Sequence, residues 1–379
     1  MKIGIDGIPL SAAKTGVGHY TFEVARALAV AQPQEEFQVV SQIPFVAAAI
    51  ESTEPTPGNL AFIHEPVNAF TKHWWTLGLP LYMRRNSFDL FHGTNYDVPL
   101  WGGVPTVLTI HDLSLFLYAE THEERRVKRA RRRLPIMVRL ATRIIVPTES
   151  VRSEVCEHFS VDTNKVVVIP EAPRRCFYPV RPESASEVLS RFGIEDSFVL
   201  YVGAIEPRKN LITLVRAMEE VYTTTTTLRP QLVIAGPKGW LSDDLFAHVA
   251  TSLIKDRIVL TGYLGDDDLR ALYSTCSVMC YPALYEGAGL PPLEAMACGA
   301  PVITSDAHAV VEMTGDGAMS VAAMDHRGLA QSIVKLLSTA SEREALVQRG
   351  LKRAAQFTWE RAAAETYETY LAAIQANQK

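Results

Sequence analysis

The sequence has few cysteines, little net charge and no long hydrophobic run. Its five cysteines are odd in number and scattered, unlike a disulfide framework, so we predict a reducing, cytoplasmic setting. Cys276 and Cys280 lie in an apolar stretch, where buried thiols are commoner than a metal or redox pair. A formal net charge of −5 gives no reason to expect a nucleic-acid partner. No apolar run approaches the length of a membrane span, and residues 1–10 lack the apolar core of a signal peptide.

At 379 residues, the chain is long enough for two domains of ordinary size. Short β-branched stretches alternate with helical patterns through both halves, which predicts an α/β protein with parallel sheets covered on both faces. In the first half we predict strands at 2–6, 37–40, 59–63, 89–92, 106–110, 143–146 and 165–169. In the second half we predict strands at 198–202, 232–235, 258–261, 278–281 and 302–304, with a weaker one at 318–321.

The same patterns predict where the domains begin and end. We predict an N-terminal domain over residues 1–170 and a C-terminal domain over 196–357. Residues 171–195 mix prolines, arginines and serines without periodicity, so we predict a linker there. The final segment, 358–379, is a capped amphipathic helix with Trp359, Tyr367 and Tyr370 on one side. So much aromatic surface predicts that this helix packs back onto the first domain.

Residues 281–305, YPALYEGAGLPPLEAMACGAPVITS, carry the strongest functional pattern. Pro291 and Pro292 suit a first helical turn, so the glycine-rich loop before them opens a helix. Such a loop suits an anion such as a nucleotide-sugar phosphate, because glycine lets the backbone approach closely and a helix start favours negative charge. The residues whose amides would face the anion are Gly287, Ala288, Gly289 and Leu290. Glu294 could accept both hydroxyls of a ribose, and Glu286 a sugar hydroxyl or an amide.

Three other glycine-bearing segments that follow predicted strands point to the same kind of ligand. Gly203 opens the run GAIEPRKN, in which Arg208 and Lys209 are placed to neutralise a diphosphate, although an ordinary exposed charge pair is the alternative. Asn210 is a predicted N-cap for the helix that follows. The strand end at Gly262, and Gly16 and Gly18 in the turn-rich loop after the first strand, offer further backbone contacts, which plain turns would explain equally well.

The first half also contains polar strand ends and a basic, aromatic surface. His92, Asn95 and His111 follow predicted strands, where ligands of parallel sheets gather, although a lone histidine is usually structural. Residues 73–85 contain paired tryptophans before two arginines, and residues 125–133 hold seven basic residues in nine. Together they could bind anionic lipid or a diphosphate-linked acceptor; a solvated helix face and a domain-edge contact are the alternative. The candidate residues there are Trp74, Trp75, Arg129 and Arg132.

The run EGAGLPPLEAMACGAPVITS, with GAIEPRKN upstream, resembles the retaining glycosyltransferases of family 4. That family has the GT-B fold, in which two Rossmann-like, doubly wound domains face an interdomain cleft. TGVGHY, DLFHGTNYDVP, TIHD and FTWERAA also look like pieces of the family, so the resemblance covers nearly the whole chain. EPRKN followed by LYEGAGLPPLEAMA is similar to bacterial mannosyltransferases that use GDP-mannose for exopolysaccharide or O-antigen assembly.

The resemblance implies a role for each matching residue. Arg208 and Lys209 would hold the diphosphate, Glu294 the ribose and Glu286 the donor sugar. Gly16 would border the phosphates, and His111 would sit beside the transferred sugar. Two positions depart from the family: Ala288 stands where phenylalanine is usual, and His19 where many relatives have arginine. The first departure alters the shape of the sugar pocket, and the second the match of the first glycine loop.

We accordingly expect a retaining hexosyltransferase that moves mannose from GDP-mannose to a glycan or lipid-diphosphate-linked acceptor in bacterial polysaccharide assembly. The expected catalytic residues are His111, Arg208, Lys209 and Glu286. We expect no cofactor or metal, since no His/Asp cluster has convincing metal spacing. We expect a cytoplasmic enzyme, with peripheral contact to the inner face of the plasma membrane left open. Alternatives are a UDP-sugar donor, a GT-B sugar-nucleotide 2-epimerase, and a non-catalytic nucleotide-sugar-binding protein.

Overall fold

The computed structural model describes residues 1–51, 54–67 and 71–377. The chain forms two compact units. The first contains Met1–Leu113, Lys128–Glu171 and Thr358–Lys379, and the second contains Ser114–Val127 and Ala172–Phe357. The predicted linker over 171–195 was therefore wrong in extent. From Ala172 onward it belongs to the second unit, because it contains a helix, Pro182–Phe192, that starts on a proline and buries Ala185.

The strands and helices follow the predicted alternation. The strands are β1 (Lys2–Asp6), β2 (Glu36–Ser41), β3 (Leu60–His64), β4 (Leu90–Gly93), β5 (Thr106–Thr109), β6 (Arg143–Val146), β7 (Val166–Val168), β8 (Phe198–Val202), β9 (Gln231–Ala235), β10 (Ile258–Gly262), β11 (Val278–Tyr281), β12 (Val302–Ser305) and β13 (Ala318–Val321). The helices are α1 (Gly16–Ala31), α2 (Ala47–Ile50), α3 (Leu79–Arg85), α4 (Ser114–Leu117), α5 (Glu124–Leu140), α6 (Glu149–Phe159), α7 (Pro182–Phe192), α8 (Leu211–Thr224), α9 (Asp243–Thr251), α10 (Asp266–Thr275), α11 (Leu290–Ala297), α12 (His308–Thr314), α13 (His326–Ser338), α14 (Ala340–Ala354) and α15 (Trp359–Asn377).

The first unit is built on a sheet with strand order β3-β2-β1-β4-β5-β6-β7, in which all neighbours are parallel. Its strands are rich in Val, Ile and Leu because helices cover both faces of such a sheet. The strand order reverses between β1 and β4, where Ile5 pairs with His92. Ligands of open parallel sheets bind at such a switch point, beyond the carboxyl ends of the strands.

The last helix, α15, packs against α1 in the first unit. Trp359 lies 6.2 Å from the ring of Tyr20, and the hydroxyl of Tyr370 is 2.7 Å from Nδ1 of His92. Trp359 and Tyr370 are almost fully buried, so the aromatic side of this helix forms part of the core. The last two residues of the segment predicted as this helix, 378–379, lie outside the described part of the chain.

The second unit has a six-stranded parallel sheet with order β10-β9-β8-β11-β12-β13. Its first strand, β8, lies between β9 and β11, so the order reverses between β8 and β11. The expectation of two doubly wound α/β units is confirmed. Within the described residues no helix is both long and apolar enough to cross a membrane.

Candidate active site

The two strands at the switch point of the second sheet lead into loops with opposite charges. After β8, the short 3-10 turn Pro207–Lys209 carries two cations, and the loop after β11 carries Glu286. Oε2 of Glu286 is 3.0 Å from Nη1 of Arg208, and its Oε1 contacts Nζ of Lys209. All three side chains are buried. Three of the predicted catalytic residues thus lie in one charged cluster. We call Arg208 and Lys209 the cation pair, and Glu286 is the carboxylate that they share.

Arg208 connects the two loops. Its Nη2 donates to Oε1 of Glu206 at 2.9 Å, and its Nη1 donates to the carbonyl of Tyr285 at 2.7 Å. The amide of Leu284 donates in turn to the carbonyl of Arg208 at 2.8 Å. The guanidinium is therefore held in a fixed orientation by groups on both loops.

Tyr281, the last residue of β11, adds a neutral donor to the cluster. Lys209 donates to its hydroxyl at 3.0 Å, and that hydroxyl donates to Oε1 of Glu286 at 3.1 Å. The ring of Tyr201 stacks on Tyr281 with centroids 6.0 Å apart. Burial, followed by the negative charge of Glu286, raises the pKa of Tyr281 well above its usual value. The hydroxyl consequently keeps its proton at neutral pH.

Asn210 fastens the turn after β8 to the rest of the unit. It occupies the N-cap position of α8 with a left-handed φ of 57°, which asparagine tolerates better than most residues. Its Nδ2 donates to the carbonyls of Pro282 at 3.0 Å and Ala323 at 2.7 Å, and its Oδ1 accepts from the Thr213 hydroxyl at 2.8 Å. Asn210 thus stands at the predicted N-cap position, but its side chain makes no capping bond to a helix amide.

Glu294, just past the first turn of α11, is paired with an arginine that the sequence pattern did not indicate. Nε of Arg174 is 2.7 Å from Oε1 of Glu294, and Nη2 is 3.0 Å from Oε2. The hydroxyl of Tyr273 donates to Oε2 at 3.4 Å. Pro291 and Pro292 occupy the start of α11 as predicted. Each carboxylate oxygen has two lone-pair sites, so Glu294 keeps acceptor capacity beside this bidentate pair.

The glycines predicted to contact the donor have different surroundings. Gly203 has a φ of 147°, and a Cβ there would lie 2.7 Å from the Tyr201 hydroxyl, so a side chain does not fit. Gly262 has a φ of 73°, and its Cβ would meet open space. Gly289 precedes α11 with a φ of 75°, and Ala288 is packed into the core. The donor contacts of these residues, and of Gly287 and Leu290, stay predictions.

The segment Ser114–Val127 groups with the second unit and contacts the loop after β11 there. Tyr118 stacks on Tyr285, the residue before Glu286, with centroids 5.0 Å apart. Nε1 of Trp240 donates to the carbonyl of Thr121 at 2.8 Å, and Arg126 lies over the Trp240 ring at 4.6 Å. The contacts with Tyr285 and Trp240 therefore fix the position of the segment in this unit.

His111, in the first unit, is held at both ring nitrogens. Nδ1 is 2.9 Å from Oε1 of Glu171, and Nε2 is 2.8 Å from the carbonyl of Thr94. Burial lowers the pKa of His111, but the hydrogen bond and charge of Glu171 outweigh it, so the pKa is raised. Both nitrogens face acceptors, which suits the protonated ring. The role that the resemblance implies for His111 beside the sugar stays a prediction.

The first glycine loop begins α1 rather than preceding it. The helix starts at Gly16, and Gly18 lies in its first turn. A Cβ at Gly16 would meet nothing within 4 Å, whereas a Cβ at Gly18 would lie 3.1 Å from the carbonyl of Pro9. Gly18 is therefore constrained by backbone packing. The predicted phosphate contact of Gly16 is compatible with the open space around it and stays a prediction.

The prediction that His92 and Trp74 contact the acceptor is wrong, because both side chains lie in the core. His92 is 0% exposed, its Nε2 is 2.7 Å from the Thr109 hydroxyl, and burial lowers its pKa to about 3. It is a neutral structural histidine. Trp74 is 2% exposed and packs in a hydrophobic cluster. Trp75 is half-buried against Phe91, and Asn95 is half-buried after β4, so their acceptor contacts stay predictions.

Arg129 and Arg132 lie on the exposed face of α5. At helical spacing beyond them, Ile136 is 41% exposed and Leu140 is 40% exposed. The opposite face buries apolar side chains, namely Leu134, Met137 and Val138. The outer face of α5 thus combines cations with exposed aliphatic side chains, and we call it the basic face (Arg129, Arg132, Ile136 and Leu140).

The sequence analysis missed several partners of the site residues, and distance along the chain explains why. Arg174 is 120 positions from Glu294, and Glu171 is 60 positions from His111. Of these missed partners, only Glu206 lies close in sequence to the residue it pairs with, because it is in the same EPRKN run as Arg208. Within residues 1–51, 54–67 and 71–377, no group of three or more His, Cys, Asp or Glu side chains is arranged to hold a metal ion.

Comparison with known proteins assigns the family. Residues 14–172 match the model of Glycosyltransferase Family 4, and residues 190–353 match that of Glycosyl transferases group 1. The chain is 31% identical to O-antigen chain mannosyltransferase B of Escherichia coli, over 98% of this chain and 99% of that one.

Solved structures agree in fold. Sucrose-phosphate synthase from Thermosynechococcus elongatus superposes with a TM-score of 0.76 at 21% identity, covering 99% of this chain and 100% of that one. Anabaena HepE, in complex with UDP-glucose, superposes with a TM-score of 0.76 at 15% identity, covering 98% of this chain and 99% of that one. These likenesses and the two sheets confirm the GT-B fold class. The chain belongs to glycosyltransferase family 4 and is a glycosyltransferase.

Proposed function

We propose that the chain transfers mannose from GDP-mannose, with retention at the anomeric carbon, to a hydroxyl of a glycan or lipid-diphosphate-linked acceptor in bacterial polysaccharide assembly. The observation that carries the proposal is the 31% identity, over nearly the whole of both chains, to an O-antigen chain mannosyltransferase. The choice of GDP and the retention rest on the resemblance of the EPRKN and LYEGAGLPPLEAMA motifs to such enzymes.

In the proposed reaction the bond between the anomeric carbon and the β-phosphate oxygen breaks, and the acceptor oxygen bonds to that carbon. The acceptor loses its proton, and the nucleoside diphosphate leaves with the electron pair. Charge develops mainly on the leaving phosphate, so fixed cations aimed at it should give the largest catalytic contribution. Arg208 and Lys209 would supply them, which is why we propose that transfer needs no metal or other cofactor. Glu286 would bind a hydroxyl of the sugar, and Glu294 the ribose.

The pairing of Glu286 with both cations has a consequence for this mechanism. A diphosphate that binds Arg208 and Lys209 competes with a carboxylate that already neutralises them. As the diphosphate binds, Glu286 becomes available as an acceptor for the hydroxyl groups of the donor sugar. We propose that this exchange couples diphosphate binding to sugar binding.

A thermal-shift panel of GDP, UDP and ADP with their sugars tests the donor. We expect GDP and GDP-mannose to raise Tm most, because a ligand at 100 times its Kd stabilises the folded state by about 2.7 kcal/mol. Radiolabelled transfer from the preferred donor then identifies the sugar. A larger shift with UDP and UDP-sugars would replace GDP-mannose with the UDP donor. Conversion of the donor to its 2-epimer without an acceptor would replace transfer with isomerisation.

We also propose that the protein works in the cytoplasm and binds the anionic inner leaflet of the plasma membrane through the basic face of α5. Exposed arginines beside exposed aliphatic side chains are typical of surfaces that lie at a lipid interface. A lipid-linked acceptor would be presented there. Each Lys or Arg near an anionic surface contributes about 1 kcal/mol, so two arginines would matter measurably.

Flotation with anionic liposomes tests this surface. We expect binding in low salt, loss of binding in high salt, and an affinity about thirtyfold lower for the double variant Arg129→Ser, Arg132→Ser, from about 2 kcal/mol of lost attraction. Arg361→Ser removes an exposed arginine of α15 and serves as the matched control. Flotation that does not respond to salt, or a double variant that floats like the wild type, would reject the basic face.

A further inference from the structure

Glu294, which the proposed function assigns to the ribose, forms a bidentate ion pair with Arg174. Two parallel hydrogen bonds, at 2.7 and 3.0 Å, join the guanidinium to the two carboxylate oxygens. Arg174 is 9% exposed and Glu294 is 4% exposed, so the pair is shielded from water. A bidentate pair of this kind fixes the plane of the carboxylate as well as its charge, which a lysine would not do.

Arg174 is itself held in place by other groups of the second unit. Its Nη1 is 2.5 Å from Oδ1 of Asp266, at the start of α10. The guanidinium lies 4.3 Å from the centroid of the Phe177 ring, and the Phe177 amide donates to the Arg174 carbonyl at 3.0 Å. A second carboxylate, an aromatic face and a local turn therefore determine where the guanidinium stands.

We propose that Arg174 is a positioning residue for nucleotide recognition, which holds the Glu294 carboxylate oriented so that the second lone-pair site of Oε1 accepts a ribose hydroxyl. The proposal rests on the proposed function, because it requires Glu294 to bind the ribose. Arg174 also neutralises Glu294, and so reduces the repulsion that an uncompensated carboxylate would exert on the nearby diphosphate. The position of Glu294 just past the first turn of α11 sets where the carboxylate is, and Arg174 sets which way it faces.

Calorimetric titration with GDP and with 2′,3′-dideoxy-GDP tests the proposal, because their affinity ratio isolates the ribose hydroxyls. Wild type should bind GDP at least about tenfold more tightly, as expected for hydrogen bonds to a charged acceptor. The ratio should fall to near one in Arg174→Gln and take an intermediate value in Arg174→Lys, which keeps the charge without the fork. Arg175→Gln removes the same charge at the exposed neighbouring position and should leave the ratio unchanged.

The outcomes separate Arg174 from the proposed function. If Arg174→Gln binds both nucleotides more weakly by the same factor, its role is only structural and the proposal is overturned. If Arg174→Gln does not fold, the ratio in the conservative variant Arg174→Lys decides: a wild-type ratio overturns the proposal, and a reduced ratio supports it. A wild type that binds GDP without discriminating against the dideoxy form removes Glu294 from the ribose site. A wild type that binds no nucleoside diphosphate contradicts the proposed function itself.

Discussion

Replacement of Lys209 by alanine is expected to lower kcat/KM for the preferred donor by about 10²- to 10³-fold. The removal of one fixed donor from the developing charge of a transition state has effects of this size in other enzymes. Lys209 is buried, and the Tyr281 hydroxyl holds its ammonium group, so little reorganisation is needed when the leaving phosphate gains charge. Arg208→Ala should have a loss of similar size, because Arg208 occupies the other side of the Glu286 carboxylate. Steady-state transfer assays at several donor concentrations give the measurement.

The control for these variants is Lys335→Ala. Lys335 is half exposed on α13 and pairs with Glu342 at 3.2 Å, so its loss should change kcat/KM less than twofold. Circular dichroism of each variant checks that the second unit is folded. If Lys209→Ala and Arg208→Ala both turn over within about twofold of wild type, the cation pair does not stabilise the leaving group.

The strands were predictable because they are short, β-branched and buried on both faces. The ends of helices were harder. Gly16 begins α1 although glycine is a poor helix former, and the hydrogen bond of the His19 amide to the Thr15 carbonyl shows a regular first turn. The predicted linker failed for a related reason. Residues 182–192 have proline at their start and several serines, but a helix needs only one apolar side to pack, and Ala185 provides part of it.

The chemistry of the site was predictable to the extent that it is local. The residues of EPRKN lie in one short loop, and the residues from Glu286 to Glu294 lie in a loop and the helix start that follows it. The grouping within each run could therefore be predicted from the strand ends. The order of the strands in the sheet brings the two runs together, since β8 and β11 are neighbours although Val278 comes 75 positions after Gly203. Only the family resemblance predicted that juxtaposition.

Polar residues at strand ends were the least reliable signal. His92 lies in β4 and His111 follows the neighbouring strand β5, yet their surroundings differ in kind. The hydroxyls of Tyr370 and Thr109 enclose His92, and it stays neutral, whereas the carboxylate of Glu171 keeps a positive charge favourable on His111. The deciding partners are Tyr370 in α15 and Glu171, shortly after β7. Both are distant in sequence from the histidines, so no local pattern could indicate them.

Glu286→Gln is expected to produce opposite changes in product binding and turnover. The amide no longer neutralises Arg208 and Lys209, so the buried cations should bind GDP at least about tenfold more tightly. Turnover should nevertheless fall about 10²-fold, because the sugar loses a charged acceptor and product release slows. Isothermal titration with GDP gives the affinity, and single-turnover kinetics separates sugar transfer from release.

Comparison with a matched carboxylate makes this last prediction specific. Glu342→Gln, which removes the exposed partner of Lys335, should change neither GDP affinity nor turnover. In the absence of nucleotide Glu286→Gln should also melt at a lower temperature, since two buried cations then lack their shared carboxylate, and saturating GDP should recover much of the loss. Unchanged GDP affinity in Glu286→Gln would mean that the carboxylate does not compete with a diphosphate for the cation pair. The proposed coupling between diphosphate binding and sugar binding would then be wrong, whatever the effect on turnover.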